Sequence, residues 1–519
     1  MGIVGRRTAS SMFYGLIGKI ASTLIAFGGS VVLARILGPD YYGLAYALIA
    51  LPQSLVGLVD LGLNGVIVRF GSRNEWDTAI AAAFLRLSLV ITMTIAFLLL
   101  SNPIAYALNR PYVIKYMLVV TLYFLAYSLA MMMEAIVGAL GLFHMTNAAL
   151  IARTAVRVSI AITLALLGLG AISVVWGLII GYSFETLTLA SIAIYKLRSY
   201  IIKVLSDFNK LVRGIRESVR MIAPLIANII IGSVTSPILS TLQVRYASNE
   251  LLGDFNVSSN IAAILDGIAD VVSGSFTFGV TASKDPEIIR KSFIKGSMYI
   301  SLILSFFVVG AVVFANPIIA VLYGSAYKYS GPMLMLQAVT LLSVVFGQYS
   351  YGAFLWAIGD TKLMSLNGII SALVSLGVSI ILILKFGGVW GSIYSFLFGA
   401  YSGALIKLAL VYKVHKVLPD IKSNVRALLP SLLSGAIIYS FTLFLTPKRA
   451  LALIIPYVFL FLIFSSLFLR TREINELIRI ASSDNVLSII LLKPLFLMLR
   501  INTYVYRIDW LPKVLSDDE

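Results

Sequence analysis

The sequence predicts an all-α membrane protein of about fourteen transmembrane helices, built as two six-helix bundles in parallel repeat plus two extra C-terminal helices. Three observations predict it: the composition, the recurrence of long apolar runs, and an internal repeat. Sixty per cent of the 519 residues are hydrophobic and only 12% are charged. A soluble domain cannot hide that much apolar surface. Apolar runs recur along the whole chain, each long enough to cross a hydrocarbon core of about 30 Å.

The spans fall at roughly 12–36, 42–68, 78–100, 112–139, 145–168, 171–196, 218–244, 251–282, 290–315, 330–357, 362–386, 388–413, 424–446 and 449–470. Turn signals such as Gly38-Pro39-Asp40, Asn316-Pro317 and Gly387-Gly388 separate them. The expected divisions are an N-lobe (1–196), a basic linker (197–217), a C-lobe (218–415), a last pair of spans (416–470) and an interfacial tail (471–519). Arg6 and Arg7 precede an apolar run that reads as the first span rather than as a cleaved signal.

A net charge of +17 in a soluble chain would suggest nucleic acid. No nucleic-acid motif accompanies it, and the basic residues gather on one set of loops, as the positive-inside rule expects. That asymmetry places both termini in the cytoplasm and the chain in the plasma membrane. The inner set includes Arg69, Arg73, Arg198, Lys203, Lys210, Arg213, Arg216, Arg220, Lys284, Lys295, Lys413 and Arg470. The outer set is smaller: Arg35, Arg110, Lys115, Arg245, Lys328, Lys385, Lys448 and Arg449. The linker 197–217 reads as a basic amphipathic helix on the inner leaflet. The acidic end Asp517-Asp518-Glu519 reads as a free tail. Cysteine is absent, which removes disulfides, thiolate metal sites and cysteine nucleophiles. His144 and His415 fall in separate inner loops, so no metal site and no cofactor are expected.

The chain repeats itself. A shift of 210 carries Arg35, Gly43 and Asp60 onto Arg245, Gly253 and Asp270. A shift of 218 carries Ala139, Gly141, Gly170 and Gly181 onto Ala357, Gly359, Gly388 and Gly399. Six spans per repeat return the chain to the same side, so the halves are parallel, with a site expected between them near mid-membrane.

The stretch Leu33-Ala34-Arg35-Ile36-Leu37-Gly38-Pro39-Asp40-Tyr41-Tyr42-Gly43, followed by Asp60-Leu61-Gly62-Leu63, resembles the start of Wzx-type polysaccharide-biosynthesis flippases. These belong to the multidrug/oligosaccharidyl-lipid/polysaccharide (MOP) exporter superfamily. Leu322-Tyr323-Gly324 and Ala357-Ile358-Gly359-Asp360-Thr361-Lys362 resemble the matching part of the second half. The resemblance implies two lobes and translocation of a lipid-linked saccharide, with no enzymatic step.

Ionisable side chains inside spans cost about 2.5–3.5 kcal/mol on insertion scales and default to function. The first half holds Lys19, Asp60, Arg86, Glu134, Arg153, Arg157 and Glu185. Their depths allow one common layer. The spans of the second half are read as lacking a midplane cation. Arg153 and Arg157 share a helix face by spacing, and the shift of 218 puts Ser371 and Ser375 in their places. The cationic patch Lys19, Arg86, Arg153 and Arg157 therefore suits an anionic phosphate or pyrophosphate headgroup. The alternative is structural: Arg153 pairing with Asp60 or Glu134, and Arg157 with Glu185. Asp60 and Asp270 recur in both repeats and suit the scaffold. Asp266 and Asp270 also share a face, where a coupling Na+ or H+ would bind. Arg35 and Arg245 read as helix C-terminal cations, or as an outer gate. Pro224 and Pro237, flanking Asn228 and Gly232, mark a bend in the seventh span.

The expected partners are a lipid-linked saccharide and membrane lipids, with no nucleic acid and a monomeric state. The rival functions are a cation-coupled multidrug exporter of the same superfamily, which would bind cations through acids and aromatics, and a membrane glycosyltransferase. The latter needs a metal-binding acidic pair in a loop, which the sequence does not offer.

Overall fold

The structure, a computed structural model, describes residues 3–223, 226–281, 285–482 and 485–505. Pro224, Lys284 and the acidic end Asp517–Glu519 lie outside the described residues, as do the side chains of Arg6, Arg7 and Asn228. Helices joined by short turns make up the described residues, with no strand among them.

The first-half helices are α1 (Ile3–Asp60), α2 (Leu63–Ser72), α3 (Trp76–Leu99), α4 (Ser101–Ala107), α5 (Met117–Ala139), α6 (Phe143–Leu166), α7 (Ile172–Leu205) and α8 (Phe208–Ile222). Next come α9 (Ile226–Arg245), α10 (Asn249–Thr281), α11 (Pro286–Leu322), α12 (Ser330–Thr340), α13 (Tyr351–Ile358), α14 (Thr361–Phe386) and α15 (Gly388–His415). The last five are α16 (Ile421–Thr442), α17 (Pro447–Ala452), α18 (Ile454–Phe468), α19 (Thr471–Ser482) and α20 (Asn485–Val505).

Eleven helices among the described residues are long and apolar enough to cross a membrane, or twelve when the bent pair around residues 330–358 counts as one span. The expected fourteen is not reached by that measure. The first two expected spans fall on α1, whose stretch Gly18–Asp60 is counted once at 43 residues. At about 1.5 Å per residue it is about 65 Å long, twice a hydrocarbon core. It breaks at Gly38 (φ 68°, ψ 172°), a conformation that a side chain would disfavour. The expected seventh span is divided into α8 and α9, with Pro237 inside α9. The linker also differs from expectation: α7 runs on to Leu205, and α8 starts after Asp207, whose carboxylate caps the helix by accepting from Lys210 N at 3.2 Å.

The chain divides into two compact units. Unit 1 holds residues 1–260, 326–329 and 368–395; unit 2 holds 261–325, 330–367 and 396–519. The division does not fall at the basic linker.

In unit 1, α6 packs most extensively on α7 and α1. The α6–α7 approach has a residue-level cause. A Cβ on Gly177 would stand 2.6 Å from the Arg157 carbonyl oxygen, and one on Gly181 3.0 Å from the Arg153 carbonyl oxygen. The Gly177-x-x-x-Gly181 pair thus lets two helix backbones close on each other. A second close approach joins the repeats. A Cβ on Gly43 would collide with the Asn249 carbonyl, and a Cβ on Gly253 with the Pro39 carbonyl.

In unit 2, α11 is the central helix, packed on α16 and α12. Small polar residues join them: Ser305 and Ser431 hydroxyls lie 2.9 Å apart, Ser297 donates to Asn424 at 2.9 Å, and Asn424 donates to the Val345 carbonyl at 2.8 Å. Each satisfies a group that lipid could not. The α19–α20 tail docks through Lys295–Glu476 (2.7 Å), Tyr299–Glu476 (2.8 Å) and the ion pair of Arg426 with Glu473. The buried Asn502 amide donates to the Ser466 and Leu469 carbonyls.

Candidate functional site

Five of the first-half charges fall into two ion-paired groups in unit 1, with Arg157 and Lys19 outside both. The first lies where α1 gives way to α2. Leu61 (φ 42°) and Gly62 (φ 83°) break the chain there, and Asp60 caps α2 by accepting from Asn64 N at 3.2 Å. Arg86 of α3 is fully buried, with its Nε 3.3 Å from Asp60 and a hydrogen bond to the Asn64 side chain. The expected headgroup role of Arg86 therefore gives way to a structural one: it joins α3 to the α1–α2 break and presents no surface to a ligand. Asp60 likewise serves as cap and counter-charge. The alternative pairing of Asp60 with Arg153 is not formed.

The second group is set by α5, α6 and α7. Arg153 donates to Glu185 at 2.7 Å and to Glu134 at 3.3 Å, and lies over the Tyr182 ring at 4.7 Å. Glu185 is fully buried, and its second carboxylate oxygen has no hydrogen-bond partner. Tyr123, Tyr127 and Tyr182 pack together, with Tyr127–Tyr182 centroids 4.9 Å apart.

Arg157 lies one turn from Arg153 but is bound differently. It is half-buried, and no carboxylate among the described residues pairs with it. The expected Arg157–Glu185 pair is replaced by Arg153–Glu185. Lys19 is exposed and has no ion pair among the described residues. It does not join Arg157. Gly18 abuts Asn147 and Gly29 abuts Val158, so α1 and α6 run parallel and Lys19 is level with about residue 148. The nine residues from there to Arg157 span about 14 Å.

A third set of contacts in unit 1 joins segments that the sequence assigns to the outer side. The buried Arg110 donates to the carbonyls of Val244 (3.3 Å) and Ala247 (2.6 Å), to Tyr112 (2.7 Å) and to the Asn249 side chain. Arg245 in turn donates to the carbonyls of Ala107 (2.7 Å) and Tyr106 (3.3 Å). Each arginine thus caps the end of the helix that the other adjoins. Tyr327 donates to the Ala34 carbonyl at 2.7 Å, Asn260 to Tyr42 at 3.2 Å, and Tyr46 to Gln243 at 3.1 Å. Arg35 is exposed on α1, just before the Gly38 break. Arg110 carried no signal in the sequence: two of its four partners are backbone carbonyls.

In unit 2, Asp266 and Asp270 are exposed on α10, one turn apart. No group of three or more metal-ligating side chains occurs among the described residues. Asp360 caps α14 by accepting from Leu363 N at 3.0 Å, and lies 2.9 Å from His415 Nε2. Those bonds, led by the Leu363 N–H, hold the Asp360 carboxyl below its usual range. Lys407, overlooked in the sequence, lies within the span, eight residues before the end of α15.

A family model described as "Polysaccharide biosynthesis protein" matches residues 9–278. Among solved structures, the chain is similar to "Lipid II flippase MurJ, inward closed conformation", with a TM-score of 0.72 and 17% identity over 88% of this chain and 98% of that one. It is also similar to an inward-facing multidrug resistance MATE family transporter of the MOP superfamily, with a TM-score of 0.51 and 16% identity over 77% and 95% of the two chains. A mutant MATE transporter from Vibrio cholerae gives a TM-score of 0.51 and 12% identity over 79% and 97%. These likenesses establish the fold. No curated protein matches the sequence.

Proposed function

The chain belongs to the polysaccharide biosynthesis protein family, and on that premise we propose that it is a MOP-superfamily membrane transporter rather than an enzyme, and that it flips an anionic, lipid-linked saccharide from the inner to the outer leaflet. One observation carries the substrate class: Arg157, within a span and without a carboxylate partner among the described residues. A guanidinium in that setting needs an anion, and its planar fork matches a phosphate oxygen pair. Arg153 holds Glu134 and Glu185 in place and keeps the Tyr182 ring beside the site. Lys19, lower on α1 and exposed, first meets the headgroup as it enters from the inner leaflet. The Arg110–Arg245 clasp keeps the outer side shut while the headgroup is loaded.

The test is translocation in proteoliposomes, comparing a fluorescent lipid-linked oligosaccharide phosphate with a cationic dye. Movement of the lipid-linked sugar, abolished by Arg157→Ser, supports the reading. Movement of the dye alone refutes it in favour of a multidrug exporter. Asp266 and Asp270, exposed on α10, favour coupling to Na+ or H+; a transport rate independent of both ions removes that role.

A further inference from the structure

Unit 1 carries an apolar groove that the transport reading does not use. It is a cavity of about 200 Å³ between α3, α5 and α7, and its sixteen lining residues are all hydrophobic. Trp76, Ile80 and Phe84 form one wall, and Ala190, Ile194 and Ile201 another. Along α7 it runs from Ala190 to Leu205, fifteen residues or about 22 Å. One leaflet supplies roughly 15 Å of hydrocarbon, so the groove reaches from about mid-membrane into the headgroup zone.

Its inner end is basic. Arg198 is four residues after Ile194 and three before Ile201, so it shares their face of α7. It is exposed, with no ion pair among the described residues. Leu211 of α8 packs on the cluster of Trp76, Ile80, Leu197 and Val204 that backs the groove. From there α8 presents Arg213, Arg216 and Arg220 to solvent, beside the exposed apolar Phe208, Val212 and Val219. Asp77 pairs with Lys203 at 3.3 Å and Asp207 with Lys210 at 3.0 Å, while Glu217, which accepts from Thr78 at 2.7 Å, and the exposed Glu75 keep their charge. Arg198 and the three α8 arginines outnumber those two, so the net charge at the rim is positive, beside a slot that accepts only hydrocarbon.

We propose that this groove binds an anionic glycerophospholipid of the leaflet facing the basic loops, with one acyl chain between α3 and α7 and the phosphate against Arg198 and the α8 arginines. Hydrocarbon complementarity fixes the chain, and charge complementarity selects the headgroup. The lipid is a resident of the lobe and is not transported. Docked there, it joins α8 to α7 and steadies the helix that supplies Tyr182 and Glu185.

The test uses the full chain in phosphatidylcholine nanodiscs carrying a trace of photoactivatable phosphatidylglycerol or phosphatidylcholine, each with a diazirine in mid-chain, followed by peptide mapping. The expected result is label on the Trp76–Leu87 and Ala190–Leu205 peptides. Phosphatidylglycerol should exceed phosphatidylcholine by about five-fold per engaged arginine, the equivalent of about 1 kcal/mol each. Arg198→Glu should lower the preference by at least about five-fold, and Ala190→Trp, which fills the groove, should remove the label. Ile194→Trp, at an exposed position, serves if Ala190→Trp fails to fold. Equal labelling by the two headgroups overturns the proposal, as does label that survives the filled groove. Displacement by a polyprenyl phosphate but not by excess phosphatidylglycerol also overturns it, and assigns the groove to the substrate tail.

Discussion

Arg153 and Arg157 occupy one face of α6, one turn apart, yet their substitution should separate stability from transport. Arg153→Met strands Glu185, which is fully buried and already has one unpartnered carboxylate oxygen. It also strands the partly exposed Glu134. Removing one partner of a buried ion pair costs about 3–5 kcal/mol. That is two orders of magnitude or more in the folding equilibrium. Arg157→Met leaves no carboxylate stranded, so its stability should stay within about 1 kcal/mol of the parent. Its flipping rate should instead fall, because each charge-assisted bond to phosphate is worth about 1.5–3 kcal/mol, or about ten- to 150-fold. The assays are thermal unfolding in detergent and flipping of the lipid-linked saccharide in proteoliposomes. Adding Glu185→Met to Arg153→Met should recover much of the lost stability, since the buried pair is then replaced by apolar groups. Equal destabilisation by the two single substitutions would refute the assignment, as would parental flipping by Arg157→Met. A serine double mutant at both positions does not discriminate, because it breaks the Arg153 pairs as well.

Three further outcomes are expected. Arg110→Ala removes hydrogen bonds to Val244, Ala247 and Asn249, so a cysteine placed near Gly43 should react with an impermeant maleimide at least about ten-fold faster; the native chain has no cysteine to interfere. Gly43→Leu and Gly253→Leu should both lower the melting temperature and cut folded yield to a similar extent, each driving a side chain into a facing carbonyl; one neutral result breaks the equivalence. Asp360, held below its usual range by Leu363 N–H and His415, contributes stability that is present above about pH 4 and is lost as pH falls through its folded value. Asp360→Asn should flatten the unfolding curve in that acid window, and an unchanged pH profile excludes the contribution.

The helices were legible because an apolar run long enough for a bilayer announces itself without any knowledge of neighbours. The Gly38 break coincides with residues read as a turn signal and Gly359 falls between two expected spans, whereas the Asp60-Leu61-Gly62 break lies inside the expected span 42–68. Partner choice was less legible. Depth along a helix follows from residue count, but azimuth does not, and azimuth decides that Arg86 takes Asp60 while Arg153 takes Glu185. Arg110 read as a loop cation because backbone carbonyls, two of its four partners, have no sequence signature. The spacing Gly177-x-x-x-Gly181 was available and unused, and it explains why α6 stands close enough to α7 for Arg153 to reach Glu185. Lys407 was hidden only by the strength of the hydrophobic run around it.

The contact between Gly43 and Gly253 has the form of a dimer interface written into one chain. Gly43 meets residue 249 and Gly253 meets residue 39, and both pairs are related by the same shift of 210. This is the reciprocity of an isologous two-fold contact, in which residue i touches j and j touches i. Two identical subunits would be bound to keep it symmetric, since one substitution would change both sides. Within a single chain the two sides are separately mutable, and they have already parted: Pro39 faces one glycine and Asn249 the other. Asn249 alone also bonds to Arg110, so a contact of two-fold form carries a lock on one side only.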